Sequence, residues 1–344
     1  MKTLTKLLFL LPLIIFSHAV PASQYVFKAG HASLQEWILP PVPYPEDNKP
    51  NQARIDLGKM LFFDPRLSGD GNMSCATCHN PMFGWSDGLP TGKGFKSQVL
   101  GRASPTVINT AYSGILMWDG RKRSLEDQAL GPLEAKVEMH ADFDQLINFL
   151  KSSEGYTKAF KAAYPNLPIS KESLAKAIAS YERTIISDNS PFDRWVKGDK
   201  KALSKKEIQG FKVFVDPNKG NCVVCHQAPN FTDDGFHNIG LKSFASSDPD
   251  LGRYAHKPIR ILKGAFKTPT LRDIKASAPY FHDGSAETLV SVVDHYITGG
   301  EEKSNLSPSM KPLTLSKKEK EALVAFMEAL SSPAKPVTLP ILPL

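Results

Sequence analysis

The sequence predicts a mainly α fold of two domains related by an internal duplication, with long loops between the helices. Three observations carry this expectation. One set of residues recurs along the chain at matching spacing, capping residues stand ahead of runs with helical apolar periodicity, and alternating β patterns are few. The 27 prolines and 23 glycines are spread widely, and with 41% hydrophobic residues the chain reads as globular and loop-rich.

The chain opens MKTLTKLLFLLPLIIFSHAVPAS. Lys2 and Lys6, the apolar run from Leu7 to Phe16, and small residues leading to Ala19 or Ala22 predict a signal peptide over residues 1–22, cleaved near one of those alanines. The run is well short of the ~20 residues of a membrane span, so the expectation is a periplasmic protein with no membrane span. About 320 mature residues exceed one typical core and suggest two domains.

All four cysteines fall in two C-x-x-C-H motifs, Cys75-Ala-Thr-Cys78-His79 and Cys222-Val-Val-Cys225-His226. Four cysteines in an exported chain would otherwise invite two disulfides or a zinc site. In this motif both thiols add across the vinyl groups of a heme, and the histidine reaches its iron as proximal ligand. Two copies with no cysteine left over predict two covalent c-type hemes. Signal cleavage would lower the formal charge from +7 to +5, and about four heme propionates would bring it near neutral, so basicity makes no case for nucleic acid.

The duplication is read from the residues around these motifs. Gly58, Phe62, Asp64 and Pro65 precede the first, and Gly210, Phe214, Asp216 and Pro217 precede the second at identical spacing. Asp87-Gly88 and Asp234-Gly235 follow the two histidines at equal distance. Further on, Pro105-Thr106-Val107 leads to Asp119-Gly120 and Ser124-Leu125, as Pro269-Thr270-Leu271 leads to Asp283-Gly284 and Thr288-Leu289. Two cytochrome c-like heme domains are expected, at residues 23–188 and 189–334, with a boundary within residues 187–203 and a tail at 335–344. Ser170 ahead of an apolar-periodic run to Ile186, and the capping boxes Ser204-x-x-Glu207 and Ser316-x-x-Glu319, predict three helix starts.

The two iron sites are expected to differ. Leu289, Val292, Val293 and Tyr296 share one apolar helical face, while His295 lies opposite with Thr288 and Ser291. Tyr296 therefore points inward, as core packing or as the second iron's phenolate ligand. Its counterpart in the first half is Pro132, which has no donor, so the first heme is expected to be open to a small oxidant. Gln128 shares the face of Leu125, Ala129 and Pro132, as a hydrogen-bonded core residue or a pocket lining. Glu138 lies between Val137 and Met139 and is either exposed or a desolvated carboxylate able to move a peroxide proton. Trp118 is either core or an electron relay between the hemes.

The two C-x-x-C-H motifs, WDGR, LEDQALGP, VEM and TPTLRDIKASAPYFHDGSAETL resemble the bacterial diheme cytochrome c peroxidases, especially their MauG-like branch, over about residues 45 to 330. The resemblance implies that Trp118 is the inter-heme tryptophan, Gln128 and Glu138 the pocket glutamine and catalytic glutamate, Pro132 the pocket proline, and Tyr296 the second iron's ligand. The family's dissociable histidine would lie between residues 80 and 139, where this chain has no histidine, so no reductive activation is expected. The family's calcium site uses an asparagine where this chain has Ala103, which leaves backbone oxygens near Ser277 and Pro279 as possible ligands. A tryptophan through which MauG-like members pass oxidising equivalents is replaced by Gly220.

The expected function is a periplasmic diheme enzyme that uses hydrogen peroxide to reach a high-valent diheme state and oxidises tryptophan or tyrosine side chains of a partner protein. The alternatives are a peroxidase that reduces peroxide with electrons from a small c-type cytochrome or copper protein, and a diheme electron carrier. An open first heme argues against the carrier.

Overall fold

The computed structural model describes residues 25–344, so the expected signal peptide lies outside the described residues. The fold is mainly helical, as expected, and its regular strands among the described residues are the short antiparallel pair β1 (Phe236–His237) and β2 (Phe266–Lys267). No helix among the described residues is long and apolar enough to cross a membrane.

Each half is organised on one close helix crossing. In the first half α1 (Gln52–Phe63), capped by the Asn51 side chain, crosses a later helix spanning Lys171–Glu182. Gly58 makes this possible, because a Cβ there would lie 1.9 Å from the Ala177 carbonyl oxygen. In the second half the helix Lys205–Val215 crosses the helix Lys317–Glu328, and a Cβ on Gly210 would lie 1.9 Å from the Ala322 oxygen. Glycine costs a helix roughly 1 kcal/mol relative to alanine, and the backbone approach it permits offsets this. The boxes Ser204/Glu207 and Ser316/Glu319 cap two of these helices as the sequence predicts.

The remaining helices are numbered in chain order. They are α2 (Cys75–Cys78), α3 (Leu125–Glu134), α4 (Phe143–Ser152), α5 (Glu154–Ala163), α6 (Lys171–Glu182), α7 (Pro191–Val196), α8 (Lys205–Val215), α9 (Leu289–Thr298) and α10 (Lys317–Glu328). Helix α6 begins at its Ser170 cap but ends at Glu182, short of the expected Ile186. There the Arg183 guanidinium turns to the Glu126 carboxylate at 2.7 and 2.9 Å, and a turn of β-branched residues follows.

One core gathers Leu57, Phe62, Leu150, Tyr156, Phe160 and Ile178 from the first half. The other gathers Phe192, Trp195, Phe211, Phe214, Phe231 and Phe326. The arm ahead of the first motif packs into this second core, where Trp37 lies 4.7 Å from the Phe231 ring. Residues 335–344 have no regular structure, and their end returns to the first half, where Arg66 and Ser153 donate to the carbonyls of Pro343 and Leu344.

Candidate active site

The first motif forms α2, whose start is tied by a hydrogen bond from the Ser74 backbone to the Thr77 hydroxyl. His79 follows, and its Nδ1 sits 3.3 Å from the Trp85 carbonyl. In the second motif His226 repeats the contact, Nδ1 to the Phe231 carbonyl at 3.0 Å. A carbonyl partner fixes the proton on Nδ1 and leaves Nε2 as the free donor of each ring. Burial lowers the pKa of both histidines, which favours the neutral, ligating form. The four thiols are unpaired, and burial pushes the Cys78 thiol up to about 11 and Cys222 up to about 12. Two unpaired thiols on a tight turn beside a histidine with a free Nε2 fit a c-type heme in each half.

Tyr296 lies on α9, and burial first, then the nearby Cys225 and Cys222, pushes its phenol well above the usual range. It thus faces the second thiol pair. His295, expected on the polar face, is itself buried, with Nε2 2.8 Å from the Ile239 carbonyl. Residues 299–302 close over that side of α9, where the backbone N–H groups of Glu301 and Glu302 donate to the Gly240 carbonyl, and the solvent keeps a stripe at Val290, Asp294 and Thr298.

In the first half, Leu125 and Ala129 of α3 are buried, while Gln128 and Pro132 keep partial access. The Gln128 amide lies 3.7 Å from the Met117 sulfur, beside Trp118. Glu138 follows α3 in a turn covered by the Gly94 loop, where a Cβ on Gly94 would lie 1.9 Å from the Val137 oxygen. Burial raises the Glu138 carboxyl, against the opposing charge of Arg121, and the same carboxylate disfavours ionisation of the Cys78 thiol. Of its expected apolar neighbours, Met139 is buried and Val137 is exposed.

Trp118 is held by its indole N–H, which donates to the Ala103 carbonyl at 2.9 Å. Its ring meets His282 edge to face. The next residue, Asp119, is buried and accepts from Arg102 at 2.6 Å and Arg121 at 2.7 Å. Burial alone would raise this carboxyl, but those two guanidinium groups hold it below the usual range. Ala103 offers no side-chain oxygen, and its backbone is engaged on both sides, donating to the His282 carbonyl at 2.7 Å while accepting from Trp118. Ser277 and Pro279 stand on the loop that approaches Gly84, and the Ser277 hydroxyl donates to the Ile274 carbonyl. Gly220 has no room for a side chain, since a Cβ would lie 2.6 Å from the Val213 oxygen.

The structure brings Glu138 to the first thiol pair, Tyr296 to the second, and Trp118 between the halves with Gln128 nearby. Two residues escaped the sequence reading. His237 on β1 pairs with Asp233 at 2.8 Å, and that hydrogen bond, with the Cys225 thiol beside it, raises the imidazole to about 10. Its four-residue spacing from Asp233, around the repeated Asp234-Gly235, was the available signal. His282 is the other, and the repeat itself marks it, because it occupies the place of Trp118 in the second half.

A family profile described as di-haem cytochrome c peroxidase matches residues 52–201. A methylamine utilization protein MauG of Methylorubrum extorquens is 44% identical over 88% of this chain and 85% of its own. A cytochrome c551 peroxidase of Pseudomonas aeruginosa is 36% identical over 97% of this chain and 95% of its own. Among solved structures, a MauG-like protein associated with microbial copper homeostasis superimposes with a TM-score of 0.80 at 28% identity, over 86% of this chain and 93% of its own.

Proposed function

Because the chain belongs to the di-haem cytochrome c peroxidase family and is a peroxide-dependent oxidoreductase, we propose that it oxidises aromatic side chains of a partner protein across a distance. The family implies two hemes c, and covalent attachment at Cys75, Cys78, Cys222 and Cys225, with His79 and His226 as proximal ligands, is part of this reading. So are its location in the periplasm and the two-domain division near residues 187–203. The hemes supply the iron at which peroxide is reduced and the oxidising equivalents are kept.

The observation that carries the reading is the contrast between Tyr296, facing the second thiol pair, and Pro132, its donor-free counterpart in the repeat. As a phenolate, Tyr296 would hold the second iron and favour its oxidised form, whereas Pro132 would offer the first iron no donor. Glu138, raised by burial, takes the proton from one peroxide oxygen and returns it to the other. Gln128 orients the bound peroxide. Trp118 passes electrons between the halves, so that two electrons from the partner and two protons convert peroxide to two waters. The histidine-free stretch from residue 80 to 139 is the ground for a reaction with no reductive activation; His140, the first histidine after it, is exposed and stacked on Phe95 at 4.4 Å. Backbone oxygens at Ser277 and Pro279 remain candidates for a calcium ion.

The Pseudomonas aeruginosa relative, named a cytochrome c551 peroxidase, favours a second reading in which a small c-type cytochrome or copper protein is the electron donor. Fully ferric holoenzyme given peroxide and periplasmic proteins separates the two. The first reading expects oxygenated or cross-linked tryptophan or tyrosine in a partner by mass analysis. Steady oxidation of a reduced c-type cytochrome at about tens per second or more, with no modified protein, would establish the second.

A further inference from the structure

We propose that the loop over residues 255–263 is the surface on which the partner protein docks, and that this partner presents an acidic face; the inference rests on the peroxide-dependent reading above. Between Asp250 and Asp273 the chain has no carboxylate side chain, yet it carries Arg253, His256, Lys257, Arg260, Lys263 and Lys267. Residues 255–261 are all exposed, and so is Lys263. Among these cations Ile259 is 48% and Ile261 60% exposed. Apolar side chains ringed by charges of one sign match the anatomy of a protein interface, and the sign selects an acidic partner by steering and by repelling basic ones.

The loop is fastened to the tryptophan turn at both ends. Arg253, buried at its start, donates to the carbonyls of Asp119 at 2.9 Å and Gly120 at 2.6 Å. The His256 Nε2 lies 3.2 Å from an Asp119 carboxylate oxygen. Beyond the loop, the Lys267 backbone N–H donates to the Trp118 carbonyl at 2.8 Å. A protein seated on Ile259 and Ile261 therefore rests on a loop whose flanks are bonded to the turn that carries Trp118. The surface is also preformed. Two short turns, Arg253–Ala255 and Arg260–Leu262, shape it, and the Asn305 amide donates to the carbonyls of Arg260 at 3.1 Å and Lys263 at 2.7 Å. Little ordering is left to oppose binding.

The test titrates holoenzyme at low salt, without peroxide, with plastocyanin as an acidic redox protein and horse cytochrome c as a basic one. The variants are K257E/R260E/K263E and, as a control on the exposed stretch that leads into α8, K200E/K201E/K205E. The expected result is plastocyanin binding that weakens about tenfold or more in the loop variant and at high salt, little change in the control, and weaker binding of cytochrome c. Ile261→Glu gives the same answer if the triple variant misfolds. Absent plastocyanin binding, equal losses in both triple variants, or tighter binding of cytochrome c would overturn the proposal. Because binding is read without peroxide, a holoenzyme inert to peroxide would overturn the functional reading alone.

Discussion

The indole of Trp118 and the imidazole of His282 meet edge to face with ring centroids 6.4 Å apart, each residue holding the same place in its own half of the repeat. Their turns match as well. Met117 and Phe281, the residues just before them, both take φ +70°, and the bridges Leu116 to Lys122 and Tyr280 to Ala286 close the two loops alike. One backbone device thus presents an oxidisable indole from the first half and a buried imidazole from the second. The other face of His282 stacks on Phe266 at 3.5 Å.

His282 should make stability fall in mild acid. Burial lowers its pKa from 6.5 to about 4, so the unfolded chain takes up a proton that the folded chain refuses. The neutral ring's contribution is complete above the unfolded value and is lost as pH falls toward the folded one, by about 3 kcal/mol over that window. His282→Phe, which keeps the stack on Phe266, should flatten this part of the stability curve. Thermal unfolding between pH 7 and pH 4.5 checks it; parallel curves for the two proteins would show that the imidazole does not titrate as described.

Trp118→Phe should separate receipt of peroxide from delivery of its oxidising power. The variant keeps an aromatic ring but loses the bond to the Ala103 carbonyl and the easily oxidised indole. Stopped-flow spectra should show an unchanged first reaction with peroxide and donor oxidation slowed about tenfold or more. Equal slowing of both steps would mean that Trp118 only supports the fold of its turn.

Glu138→Gln should slow the peroxide reaction by about two to four orders of magnitude while leaving heme content unchanged. The base form of Glu138 is needed, and burial raises its pKa, so the wild-type rate should fall with decreasing pH through a value above that of an ordinary glutamate. A rate–pH profile for both proteins checks this. A wild-type inflection that survives in Glu138→Gln would assign the proton to another group.

Both C-x-x-C-H motifs and the helix starts at Ser204 and Ser316 were legible because each depends on local chemistry, and Gly58 and Gly210 were legible as partners in the repeat but not as crossing points, since the carbonyls they approach belong to helices far along the chain. Helical phase puts Tyr296 on the face of Leu289 and Val293, and the second thiols lie near its half-buried phenol. Phase alone did not foresee that His295 is buried, since its cover comes from residues 239–241 and 299–302, distant in sequence or beyond the helix. The packing of Trp37 into the second core, and the return of Pro343 and Leu344 to the first half, likewise depend on long-range contacts that no local pattern encodes.

Gly58→Ala and Gly210→Ala should each cost about 3 kcal/mol, because the added methyl would meet a backbone carbonyl that can retreat only if the helices separate. That corresponds to a fall in Tm of roughly 10 °C for a domain of this size. Gly114→Ala, whose Cβ meets nothing within 4 Å, serves as the control. A loss no larger than the control's would remove the crossings from the account of the fold.

The unlike character of the two iron sites is tested most directly by the electron paramagnetic resonance spectrum of ferric holoenzyme beside that of Tyr296→His. The account predicts a high-spin component from the open first site in both proteins, together with a low-spin component that changes its g values in the variant while both hemes stay attached. A wild-type spectrum with no high-spin component, or low-spin signals that superimpose in the two proteins, would contradict it.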